Sequence, residues 1–317
     1  MTRVSPAAPV RHWVHGARPR TLAAAGVPVV VGTALGWWLR SRTVNPVGIV
    51  GGPGVVIWWR AGCALVVALA VQVGTNYAND YSDGVRGTDE ERIGPLRLVA
   101  SGVAEPGAVR RAAIVSFAVA AAAGLALAAV TSWWLVVVGA ACFAAGWGYT
   151  GGPKPYGYLG LGELFVLVFF GLVATVGSSY VQYPHLWPAD VSDAARLAPL
   201  WASIAVGLLA TALLEANNLR DVDGDLQSKK RTLAVRLGRR RASWLYVGSI
   251  GGVAVGIVAV ATARPWALLA LGALPLAVAP VRTVIGGASG RQLLPVLGAT
   301  GRLQLAIGIL LTLGILL

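Results

Sequence analysis

Long apolar runs, each closed by a short polar or Gly/Pro-rich stretch, recur along the whole chain. Nine of them read as helices, near 22–39, 61–80, 112–130, 133–149, 161–180, 200–219, 242–262, 266–281 and 298–317. A helix crosses the hydrocarbon core of a bilayer with about 20 predominantly apolar residues. The pattern therefore predicts an all-α, polytopic membrane protein of nine transmembrane helices. The connections are short, so residues 1–317 read as a single transmembrane domain. Gly and Ala are frequent inside the runs, which suits close helix packing in lipid, and Gly252 and Gly256 form a GxxxG pair.

Composition strengthens this reading. Only 12% of residues are charged and 56% are hydrophobic, against about a quarter charged in a soluble domain. The first residues are basic but not apolar, so no cleavable leader is expected. Cys63 and Cys142 fall within predicted spans and read as small buried hydrophobes, neither a disulfide nor a metal cluster. The three histidines have no metal-site spacing.

The net charge of +13 raises the question of nucleic acid, but the charge map answers it. With the N-terminus inside, 21 Lys and Arg fall on the inner side of the nine-helix map and five on the outer side. That bias is the positive-inside rule, and it predicts a cytoplasmic N-terminus without any nucleic-acid partner. The acids obey a different rule. Of 13 Asp and Glu, five lie at 80–91 and three at 221–225, both at inner helix ends.

These two stretches resemble one another. "NYANDYSD" at 76–83 and "NNLRDVDGD" at 217–225 each close an apolar helix, and each is followed by a basic segment. Each begins with Asn and places Asp four residues later: Asn76 and Asp80, Asn217 and Asp221. On a helix, Asn76, Asp80 and Asp83 share one stripe, as do Asn217, Asp221 and Asp225, while Asp223 points elsewhere. Clustered carboxylates repel unless something positive sits among them. Hard divalent cations take oxygen ligands, and Mg2+ commonly bridges carboxylates and substrate phosphates. Flanking Arg and Lys suit the remaining phosphate oxygens. Plain solvation of helix ends explains one such motif well, but two with the same spacing on the same side poorly. A calcium loop is excluded, because Leu226 and Thr232 occupy the positions of its Gly and Glu.

"NDYSDGVRGTDEERIGPLRLVASG" and "NNLRDVDGDLQSKKRTLAVRLG" resemble the two Asp-rich motifs of the UbiA superfamily of intramembrane prenyltransferases. "ARPRTL" at 17–22 and "YTGGPKPYGYLGLGE" at 149–163 are further matches. The form is closest to the menaquinone branch, in which the second acid of the first motif is shifted, here to Asp83. Lys229 stands where that branch often has Gly. The resemblance implies a UbiA-like fold around a central cavity, with cytoplasmic catalytic loops near 80–111 and 220–241, in the bacterial plasma membrane. It implies Mg2+, two ions bridging a diphosphate, with Mn2+ able to substitute. It also implies a polyprenyl diphosphate donor from the lipid bilayer and 1,4-dihydroxy-2-naphthoate as acceptor, with loss of CO2 and diphosphate to give demethylmenaquinone.

Roles follow position by position. Asp80, Asp83, Asp221 and Asp225 are the expected metal ligands, with Asn76, Asn217 and Asp89 as further ligands or diphosphate contacts. Arg92, Arg97, Lys154, Lys230 and Arg231 are candidate partners of phosphate or acceptor carboxylate. Among them Lys154 stands out as the one cation of its loop. Arg20 and Tyr149 are candidates for the border of the acceptor site. Within the superfamily, 4-hydroxybenzoate is the alternative acceptor. A transporter is the rival of another class, since intramembrane acids often mark ion paths, but both acidic clusters here lie on one side. The Asp-rich motif of CDP-alcohol phosphotransferases fails after Asp83 and Gly84, where Gly87 and Thr88 stand. Prenyl length and oligomeric state have no sequence signal.

Overall fold

The computed structural model describes residues 9–42, 55–87, 97–185 and 191–317. Asp89 and Arg92 lie outside the described residues, as does the side chain of Arg20. Each apolar run forms a helix. After a short N-terminal helix, α1 (Val10–Ala17), come α2 (Leu22–Arg42), α3 (Trp58–Val85), α4 (Pro106–Val130) and α5 (Trp134–Gly148). They are followed by α6 (Gly162–Gln182), α7 (Asp193–Gln227), a short α8 (Leu233–Leu237), α9 (Arg239–Ala261), α10 (Pro265–Ile285) and α11 (Gly290–Leu316). Among the described residues, eight of these are long and apolar enough to span a bilayer. The ninth expected span, α5, is apolar but has 15 residues, fewer than a full crossing needs.

The helices that carry the acidic motifs outrun their apolar signal. α3 has 28 residues and α7 has 35, so both motifs lie inside continuous helix. α7 starts where the Ser192 hydroxyl accepts the Ala195 N–H at 3.3 Å, with Asp193 complementing the dipole of its first turn. It stops at Ser228, after which Lys229 takes φ 57°. A left-handed residue just past a helix is the usual place for Gly. Lys229 adopts the same backbone at a cost of about 1 kcal/mol.

The core is a packing of small residues. Gly32 and Gly36 of α2 lie against α6, where a Cβ would overlap the carbonyl oxygens of Thr175 and Ser179. The Gly252 and Gly256 pair of α9 packs likewise on Leu208 and Ala205 of α7. Leu209, Val253, Ile257, Leu303 and Ile307 fill the centre of the resulting α2, α7, α9 and α11 cluster. α3 packs closely on α4, with α5 against both, and many of their large apolar side chains face outward, as lipid-facing residues do. Between this half and α6, α7 and α11 lies a large cavity. A π-helical stretch, Leu167–Val173, widens α6 beside it. Such bulges interrupt a helix frequently at functional sites.

Candidate active site

The cavity measures about 1880 Å³. Its inner part is apolar, walled by Leu125, Leu135, Val136, Phe143, Phe169 and Leu305. Its other end is polar. There α3 presents Asn76, Asn79 and Asp83, and α7 presents Asn217, Asn218, Asp221 and Asp225, so the two motifs do share one cavity. Arg97, Arg220, Lys230, Tyr149 and Tyr158 complete that end.

The carboxylates are each held by cations or hydroxyls. Asp83 is 2% exposed; it accepts the Tyr158 phenol proton at 2.5 Å, and Lys230 Nζ and Arg97 Nη2 stand 3.4 and 3.7 Å from it. Lys230 also lies 4.9 Å from the centre of the Tyr158 ring, a cation–π contact. Asp221 makes a two-pronged pair with Arg220, both bonds at 2.7 Å. Asp225 accepts from the Thr232 hydroxyl at 3.3 Å. Asn79 accepts from Thr150 at 2.8 Å, which ties α3 to the segment after α5. Arg86 reaches the carbonyls of Thr150 and Gly152 in the same segment. Two loops thus close over the acids: Arg231 N–H bonds to the Tyr158 carbonyl at 3.1 Å, and Lys230 N–H to the Asp225 carbonyl at 2.8 Å.

Several expected residues take other places. Asp80 is 1% exposed and does not line the cavity. Its two oxygens accept the backbone N–H groups of Leu98 and Val99 at 2.9 and 3.0 Å, so it anchors the loop that carries Arg97. Asn76 lines the cavity, but its amide donates to the Ala17 carbonyl at 2.9 Å and so fastens the N-terminal segment. The Asn217 amide donates within its own helix, to Leu213. Lys154 and Arg231 are exposed and outside the cavity lining. The turn that carries Lys154 is held on either side, by the Arg86 guanidinium on the Gly152 carbonyl and by the Gly157 N–H on the Tyr149 carbonyl. Among the described residues, no three acidic, His or Cys side chains converge closely enough to hold a metal as they stand. The reason is local: Asp83 turns to Lys230 and Asp221 turns to Arg220.

Sequence reasoning missed five residues of this end: Asn79, Tyr158, Glu163, Asn218 and Arg220. Asn79 was legible. Asn79 and Asp83 are also four apart, and this register matches Asn217 and Asp221, with Gly87 opposite Asp225. The first motif therefore reads three residues later than its first Asn suggests. Glu163 is buried and accepts from the Asn218 amide at 2.8 Å, which orients Asn218 in the cavity wall. An acid within an apolar run was its signal. Tyr156, also in the wall, stacks on Phe165 at 3.9 Å and donates to the Ala145 carbonyl. Burial pushes its phenol pKa up, so it remains a neutral aromatic surface.

A polytopic bundle with an oxygen-rich, cation-balanced mouth above an apolar trough suits an amphiphile with an anionic head. Residues 46–291 match the family model described as the UbiA prenyltransferase family, and the chain belongs to that family. It is 46% identical to the 1,4-dihydroxy-2-naphthoate octaprenyltransferase of Mycobacterium tuberculosis, over 91% of each chain. The apo structure of a UbiA homolog from Aeropyrum pernix K1 shares its fold at a TM-score of 0.66 and 13% identity, covering 92% of this chain and 97% of that one. A UbiA homolog from Archaeoglobus fulgidus bound to DMAPP and Mg2+ matches at 0.55 and 14%, covering 94% and 98%.

Proposed function

We propose that the chain transfers a polyprenyl group from an allylic polyprenyl diphosphate to 1,4-dihydroxy-2-naphthoate. The observation that carries this reading is the meeting of two Asn-x3-Asp stripes with Lys230, Arg97 and Arg220 at the mouth of one apolar cavity. The naming of a relative 46% identical along nearly the whole chain supports the choice of acceptor.

The donor set fits Mg2+: Asp83, Asp221 and Asp225, with the carbonyl oxygens of Asn79 and Asn217, offer only hard oxygen ligands at one cavity end. These residues would hold the ion. Bound there, Mg2+ would neutralise the diphosphate and act as a Lewis acid on the leaving group. The protein's own cations share that task. Lys230 and Arg97, now balanced by Asp83, face the same end and would bind diphosphate oxygens. Arg220 holds Asp221 in place through two bonds. Phe165, Phe169 and the apolar walls of α4 and α5 exclude water from the allylic cation as the C–O bond breaks. The ring carbon bearing the acceptor's carboxylate then bonds to the prenyl carbon, and the carboxylate leaves as CO2. The product is the reduced form of demethylmenaquinone. Tyr149 borders the space left for the acceptor. The arginine and lysine distribution supports a cytoplasmic mouth, where a water-soluble aromatic acid meets a donor dissolved in the inner leaflet.

The test is diphosphate release by purified protein supplied with donor and 1,4-dihydroxy-2-naphthoate. EDTA should stop it, and added Mg2+ or Mn2+ should restore it. Undiminished release in chelator would overturn the metal role, and no release under any condition would overturn the reaction.

A further inference from the structure

The bundle face opposite the carboxylates carries a charge cluster that the proposed chemistry does not use. Arg40 and Arg42 end α2, Arg60 starts α3, and Arg264 stands in the turn before α10. Arg42 and Arg264 share one aromatic side chain. Their guanidinium carbons lie 5.6 and 5.5 Å from the centre of the Trp38 ring. Trp38 is 3% exposed, and its indole N–H is buried without an acceptor. The Nε–H of Arg264 is buried without an acceptor as well. Burial and the charge of Arg42 both pull the Arg264 pKa below its usual value.

Acid is scarce here. Residues 43–57 and 262–264 contain no Asp or Glu. Asp193 on this face pairs with Arg196 at 3.0 Å, and Asp190 lies outside the described residues. Among the described residues, no carboxylate pairs with Arg42, Arg60 or Arg264. Two like charges beside buried donors are unfavourable unless an acceptor, best an anion, sits among them. Arginine and tryptophan N–H groups cannot satisfy each other, because both only donate. The depth of the cluster identifies the anion. Trp58, Trp133, Trp134 and Trp266 are exposed at the helix ends on this same side, and such a belt marks the headgroup level of a bilayer. The anion offered at that depth is a phosphodiester, which guanidinium groups bind through paired N–H bonds. A choline or ethanolamine headgroup would bring a further cation to the cluster, so the fit is to a lipid with net negative charge.

We propose that Arg42, Arg264 and Trp38 form a binding site for the headgroup of an anionic phospholipid in the leaflet remote from the carboxylate end of the cavity, with Arg40 and Arg60 flanking it. The experiment uses the full chain in a neutral detergent. Native mass spectrometry counts bound phosphatidylglycerol, phosphatidylcholine or inorganic phosphate across a titration of each. The wild type should retain phosphatidylglycerol at least tenfold more tightly than phosphatidylcholine. Arg42→Gln and Arg264→Gln should each lower that affinity about tenfold, the loss of one charge-assisted hydrogen bond. Arg196→Gln, on the same face but already paired with Asp193, should leave it unchanged. Should the glutamine variants not fold, Arg42→Lys and Arg264→Lys keep the charge but lose the forked donors, and a loss of at least threefold is expected. Equal retention of the two lipids, or unchanged retention in the variants, would overturn the proposal. Inorganic phosphate binding as tightly as phosphatidylglycerol would mark a free-anion site and overturn the lipid assignment.

Discussion

Asp80 and Asp83 are neighbours on one helix with the same side chain, and the structure gives them different work. The test is Asp80→Ala. Its two oxygens satisfy the buried N–H of Leu98 and the N–H of Val99. Hydrogen bonds to a charged group contribute about 1.5–3 kcal/mol each. Even at the low end, removing both would cost the loop about 3 kcal/mol, roughly a hundredfold in its opening equilibrium. The loss is local, because the helices on either side are held by their own packing. Hydrogen exchange at residues 98–104, followed by mass spectrometry in detergent, reads it directly. Protection there should fall about a hundredfold while that of α7 stays unchanged. Turnover should fall too, since Arg97 leaves Asp83, but the Mg2+ concentration for half-maximal activity should not move. Unchanged exchange at Leu98 and Val99, together with a raised Mg2+ requirement, would refute the reasoning and make Asp80 a metal ligand.

Three other outcomes follow from the same geometry. Asp83→Asn and Lys230→Met should each lower kcat by about 10²–10³ with the fold intact, and steady-state kinetics beside a thermal melt checks both; near-normal kcat in either would remove that residue from the diphosphate site. Lys154→Ala should keep turnover within about twofold of wild type, because its side chain is exposed and outside the cavity; a hundredfold loss in kinetics would return it to the site. A cysteine at Ser228 should react with an impermeant thiol reagent only in inverted vesicles, and one at Ser192 only in right-side-out vesicles; labelling of both from one side would contradict the orientation.

Much of the bundle was legible because lipid-facing helices need apolar residues on almost every side. The runs near 22–39 and 112–130 fall within α2 and α4, and only their ends differ. The helices with acidic motifs were underestimated. Apolarity stops near Asn217 and Asp80, but the backbone stays helical for several residues more, since carboxylates balanced by cations do not break a helix. That the two motifs share a cavity was legible from their common spacing and side. Which acid faces the cavity was not. Asp80 and Asp83 differ by what folds over them, and the loop at Leu98 and the Tyr158 hydroxyl come from 18 and 75 residues away. Lys154 stands outside the cavity lining for a related reason: being alone in a loop says nothing about where the loop points. The Asn79 register could have been read from the repeat, had Asn217 and Asp221 been used to align the first motif.

The measurement that bears most directly on the central claim is the mass of the product formed by purified protein given a polyprenyl diphosphate, Mg2+ and one aromatic acid at a time. With 1,4-dihydroxy-2-naphthoate, the account predicts a prenylated naphthalenediol lacking the carboxyl group, with one CO2 and one diphosphate released per product. With 4-hydroxybenzoate it predicts little or no product. Prenylation of 4-hydroxybenzoate in preference, or a naphthoate product that keeps its carboxyl group, would contradict it.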